Sequence, residues 1–164
     1  MRGRLGSAAL FLAVMIAGGS VLLTDTVQVA VLHPLSVWIA ALGAGALRVL
    51  GFAVIHREQV LAATDGSFRV SIENDCNGAW AHLILLASVL AYPAPARAKL
   101  VGLLVMQPLL FALNIVRVVT LFLIGSYDVS LFRAAHVYVW QFLIIGFALA
   151  LFLVWVERGV HDEA

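Results

Sequence analysis

The sequence predicts an all-α membrane protein of about four transmembrane helices, with an outer interfacial or re-entrant helix and a short outer β-hairpin. Composition, charge placement and a parity argument carry this prediction. Of 164 residues, 63% are hydrophobic and 12% charged, and the mean hydropathy is +1.05. A soluble domain carries about twice that charge, and a small domain buries only part of its surface. The bilayer is therefore the natural solvent for a single domain over residues 1–164. The net charge of +1 argues against nucleic acid as a partner and leaves membrane lipids as the obligate one.

Residues 5–23 are almost wholly apolar, and a span needs ~20 such residues. Arg2 and Arg4 precede this run and Asp25 follows it, which puts the N-terminus on the cytoplasmic side. A secretory leader has a shorter apolar region, so the segment reads as a retained anchor. Residues 34–55 are long enough to span but carry Gly43, Gly45, Gly51 and Arg48. Arginine at span depth is costly, whereas an interfacial helix lets Arg48 face water.

The polar stretch 56–75 contains the turn signal Thr64-Asp65-Gly66, followed by Phe68, Val70 and Ile72 at strand spacing. This predicts a β-hairpin. Further spans are expected over 77–92, 100–124 and 136–156, with a short loop opening at Gly125-Ser126-Tyr127-Asp128 and a charged tail over 157–164. Trp140, Tyr138 and Tyr127 sit where an interfacial aromatic belt is expected. The loop holding Arg97 and Lys99 contains no acid and reads as cytoplasmic. An even number of crossings must then separate it from the N-terminus. Segments 5–23 and 77–92 supply two, so 34–55 is expected not to cross.

This topology gathers three chemical groups near the outer surface. Cys76 opens the second span, Arg117 lies ~10 Å below the outer end of the third, and His136 opens the fourth. A single cysteine excludes a CxxC redox pair or a thiolate zinc cluster. A thiolate attacks carbonyls, and its pKa falls at a helix N-terminus or beside an imidazolium. Asn77-Gly78 would permit a tight turn and leave amide N–H groups for an oxyanion. His136 would protonate a leaving amine. Each residue also has a plainer role: a packed thiol, an interfacial histidine, an arginine paired to a partner subunit. A non-catalytic scaffold or transporter subunit is the alternative. A metal or haem site using His136 with His82 or His33 is a third, weakened because His82 follows Cys76 by six residues and does not share its helical face.

The motifs Cys76-Asn77-Gly78, Asn114-Ile115-Val116-Arg117 and His136 resemble, in order and spacing, those of the exosortase/archaeosortase family of membrane transpeptidases. The likeness covers residues 68–156 and is greatest to the exosortase H type. Many members have serine where this chain has Asn77, a departure that bears on substrate motif more than on chemistry. The resemblance implies a cysteine peptidase or transpeptidase in the bacterial cytoplasmic membrane, with its site facing outward. Its substrates would be proteins with a C-terminal sorting signal: a short motif, a transmembrane helix and a basic tail. Cys76 would be the nucleophile, Arg117 and His136 its partners, and Asn77, Gly78 and Asn114 supporting residues. No cofactor and no metal is implied.

Overall fold

The computed structural model describes residues 2–159, without the side chains of residues 2–4, 75 and 159. The charges expected at Arg2, Arg4 and Asp75, and the tail at 160–164, lie outside the described residues. The described residues form five helical segments and one small sheet. Helix α1 is Arg2–Leu22, and α2 is Asp25–Val49, with a π-helical stretch at Gln28–Leu32. Strands β1 (Val54–Arg57), β2 (Val60–Ala63) and β3 (Arg69–Ser71) form an antiparallel meander in the order β1-β2-β3. Helix α3 (Ala79–Ala91) precedes α4 (Ala96–Tyr127) and α5 (Val129–Arg158).

Among the described residues, four helices are long and apolar enough to cross a bilayer: Leu5–Leu22 within α1, then α2, α4 and α5. The number agrees with the expectation, but the membership differs. Segment 77–92, expected to span, yields the 13-residue α3, about 20 Å long. Segment 34–55, expected to stay aside, contributes most of α2, which meets the length and hydropathy of a span. A hydropathy profile cannot separate the two cases, because both runs are apolar and only packing sets where a helix ends.

The packing register shows two tiers stacked along α4. In one tier, Gly18 and Gly19 of α1 lie against Leu83 and Trp80 of α3, and Trp155 of α5 lies against Gly102 of α4. Leu85, Val89, Met106, Leu110, Trp140, Ile144, Ala148 and Trp155 form the core there. In the other tier, Gly43 of α2 meets Val118 of α4 and Leu61 of β2, while Phe68 meets Gly125. Ile39, Leu47, Leu61, Ile72, Val118 and Phe122 form that core. Helix α2 therefore accompanies only the C-terminal half of α4. Outward-facing Leu12, Ile16, Leu104 and Phe142 are 57–76% exposed, a surface suited to lipid rather than water.

The expected hairpin is present as β2–β3. Asp65 Oδ1 accepts the Ser67 amide hydrogen bond at 2.9 Å, closing the turn that Thr64-Asp65-Gly66 signals. Strand β1 was not expected; Arg48 Nε donates to its Val54 carbonyl at 3.0 Å, so the exposed Arg48 ties the end of α2 to the sheet. The loop expected to open at Gly125 is instead almost continuous helix. Asp128 alone separates α4 from α5, and its carboxylate accepts the Ser130 and Leu131 amide hydrogen bonds that start the next helix. An N-cap of this kind replaces a loop with a sharp corner. Trp140 does not join an interfacial belt: it is 7% exposed, whereas Tyr127 and Tyr138 are 87% and 65% exposed.

Candidate functional site

The Cys76 turn is built by side chains that hold the backbone from below. Asn74–Cys76 forms one turn of 3-10 helix, and Gly78 follows at φ +86°, a left-handed conformation that favours glycine. Fully buried Asn77 accepts the Ala79 amide hydrogen bond through Oδ1 at 3.0 Å. Its Nδ2 donates to the Leu32 carbonyl at 3.3 Å and to Ser36 Oγ at 3.4 Å. Asn114 Nδ2 donates to the Asn77 carbonyl at 2.9 Å. The tight turn expected at Asn77-Gly78 is thus present. The Ala79 amide, however, belongs to Asn77 and is not available to an oxyanion.

A polar chain extends from this turn into α2. Ser36 Oγ donates to Asn74 Oδ1 at 3.2 Å, and Asn74 Nδ2 donates to Gln28 Oε1 at 2.7 Å. Gln28 Nε2 donates in turn to the Leu22 carbonyl at 2.7 Å, and the π-helical stretch of α2 begins at Gln28. Gln28, Ser36 and Asn74 were not among the expected site residues. The available signal was two polar side chains, Gln28 and Ser36, each set among apolar neighbours, since buried polar groups need partners; Asn74, between Glu73 and Asp75, carried no such signal.

Asn114 and Arg117 occupy one face of α4, as their spacing of three dictates. Arg117 is 6% exposed, and its guanidinium lies against Cys76, within hydrogen-bonding and charge reach of the sulfur. It lies ten residues before the end of α4 at Tyr127, about 15 Å along the axis. That is deeper than the expected ~10 Å, because the helix outlasts its apolar run. His136 approaches from the other side, with Nε2 at 3.5 Å from Cys76 Sγ. It does not open a helix: it sits within α5, in the π-helical stretch Ala135–Val139. Such stretches recur at functional sites because they re-aim a side chain. Phe132, one turn earlier, stacks on the imidazole at 5.7 Å and 8°. Among the described residues, His136 Nδ1 and Asn114 Oδ1 are buried without a hydrogen-bond partner.

The three expected residues therefore meet, although they come from a loop and two helices. They line a cavity of about 340 Å³ whose other walls are Val118, Leu121, Phe132 and the run Arg69 to Glu73. Residues Arg69 to Ile72 of that run were not foreseen as part of the site. His82, weighed as a metal ligand, is paired by Nδ1 with Gln107 Oε1, and Gln107 Nε2 donates back to the His82 carbonyl at 3.2 Å. Among the described residues no cluster of three or more His, Cys, Asp or Glu could hold a metal ion.

A thiol, a guanidinium and an imidazole around one cavity are groups that can serve as nucleophile, charge partner and proton carrier. The family model described as transmembrane exosortase, of the EpsH type, matches residues 1–156. The chain belongs to the transmembrane exosortase family. This exosortase matches its family over both tiers and the sheet, so the Cys76 turn, Arg117 and His136 all fall within the matched region. No match emerges among curated proteins or among solved structures.

Proposed function

We propose that this exosortase is a cysteine transpeptidase that cleaves proteins bearing a C-terminal sorting signal, using Cys76, Arg117 and His136. The 3.5 Å approach of Cys76 Sγ and His136 Nε2, with the Arg117 guanidinium on the sulfur, carries this reading. The proton of the thiol passes to His136 Nε2, and the adjacent guanidinium favours the thiolate. The thiolate attacks the scissile carbonyl, whose π electrons move to oxygen. Arg117 is the cation nearest that developing charge. The C–N bond then breaks as His136 returns its proton to the leaving amine, and a thioester remains on Cys76. An amine or water attacks the thioester and gives its proton to His136, and sulfur leaves as thiolate.

The site faces the side opposite Arg97 and Lys99, which lie in the first turn of α4 at the end that the distribution of basic residues assigns to the cytoplasm. The leaving fragment, with its transmembrane helix and basic tail, stays in the bilayer. A co-expressed reporter ending in such a signal provides the test. Cys76→Ala and Cys76→Ser are expected to insert normally and to leave the reporter uncut. An impermeant maleimide added from outside is expected to label Cys76 in the native chain. Normal processing by Cys76→Ala removes the nucleophile from the proposal and leaves the scaffold alternative standing.

A further inference from the structure

Strand β3 is an edge strand, and it ends five residues before Cys76. Its hydrogen-bonding side can be worked out from the register. Ala63 N–H donates to the Phe68 carbonyl and Ile72 N–H donates to the Gln59 carbonyl. Between these two pairs, Ala62 faces Arg69, Leu61 faces Val70 and Val60 faces Ser71. Bonded and non-bonded pairs alternate in an antiparallel ladder. The Leu61–Val70 pair is therefore bonded, whereas Arg69 and Ser71 point their N–H and C=O groups away from β2. Among the described residues, those groups have no backbone partner outside the ladder.

The cavity around Cys76 is lined by Arg69, Val70, Ser71, Ile72 and Glu73 in unbroken succession. Side chains of a strand alternate between two faces. A cavity that touches five consecutive residues meets this stretch edge-on, along its backbone. A free row of donors and acceptors is a template for another extended chain.

We infer that the substrate's extended segment, next to the scissile bond, docks by adding a strand to the free edge of β3. This inference rests on the transpeptidase reading. Arg69 and Ser71 supply main-chain hydrogen bonds that fix register and direction, and the paired peptide runs along the wall into the Cys76–His136 gap. Backbone pairing holds the peptide whatever its side chains, and the cavity beside the strand meets alternate residues of the peptide.

Proline at position 71 tests this directly. It deletes the outward N–H and leaves the ladder bonds of Val70 and Ile72 in place, the arrangement edge strands tolerate. With the reporter that the native chain cleaves, Ser71→Pro is expected to lower kcat/KM by roughly tenfold or more, mostly through KM, since a ring blocks the added strand and removes a hydrogen bond. Ser71→Ala, which keeps the N–H and loses only the hydroxyl at the cavity wall, is expected to lower kcat/KM far less than Ser71→Pro. Alkylation of Cys76 by iodoacetamide, too small to need the edge, is expected to proceed at the native rate in both variants. The second arm leaves the protein unchanged: single N-methylation along the extended segment of a synthetic substrate is expected to impair cleavage at every second position. Unchanged kcat/KM for Ser71→Pro, or N-methyl effects without that alternation, overturns the docking mode while the Cys76 dependence keeps the transpeptidase reading. A native chain that leaves every such substrate uncut overturns the function and the docking mode with it.

Discussion

Replacing Asn77 by alanine is the sharpest test of how the nucleophile turn is held. The native side chain is fully buried and makes one good hydrogen bond, from the Ala79 amide at 3.0 Å, and two long ones, to the Leu32 carbonyl at 3.3 Å and Ser36 Oγ at 3.4 Å. A typical net contribution is about 1 kcal/mol per bond, and bonds at the long end of the range contribute about half that. The alanine variant is thus expected to lose about 2 kcal/mol, a sizeable fraction of the stability of a small domain. Serine can retain the short bond to the Ala79 amide, more weakly than asparagine does, but cannot span to Leu32. Asn77→Ser is expected to lose about 1 kcal/mol. Equilibrium unfolding in mixed detergent micelles, followed by circular dichroism, measures both. Processing of the reporter is expected to fall in the same order, native above serine above alanine, because the same bonds position Cys76. A serine variant as unstable as the alanine variant would refute the division between the turn bond and the α2 bonds. An alanine variant of native stability would refute the whole account of the turn.

The Arg117 guanidinium acts as a planar fork, so Arg117→Lys is expected to cost roughly a hundredfold in processing rate at normal expression, checked in single-turnover assays. Gly125→Ala would drive a Cβ into the Phe68 ring. It is expected to cost about 1–3 kcal/mol by overpacking, and Phe68→Ala in the same chain is expected to recover part of that loss in a double-mutant cycle. The Ser130 hydroxyl, with the Leu131 and Ser130 amides, holds the Asp128 carboxyl below its ordinary 3.8. A depressed carboxyl contributes stability that is complete above the unfolded pKa and is lost as pH falls through the folded one. Melting temperatures across that acidic range are expected to fall more steeply for the native chain than for Asp128→Asn, which cannot titrate.

Sequence alone determined the solvent of this protein and its family. Hydropathy is summed along the chain, so the membrane class follows from composition. A turn such as Thr64-Asp65-Gly66 closes on its own neighbours, so the β2–β3 hairpin was equally legible. Motif spacing singled out Cys76, Arg117 and His136 and the supporting Asn77, Gly78 and Asn114. Tertiary structure decided where helices end and which polar groups meet. The shortness of α3, the burial of Trp140 and the continuous helix through Gly125 come from packing between segments. The Ser36–Asn74 and Gln28–Asn74 bonds join residues 38 and 46 positions apart, a separation no local pattern encodes. Arg69, Val70 and Ser71 of β3 came to line the Cys76 cavity only when the sheet folded against α4, because a strand has a free edge only after its partners are chosen.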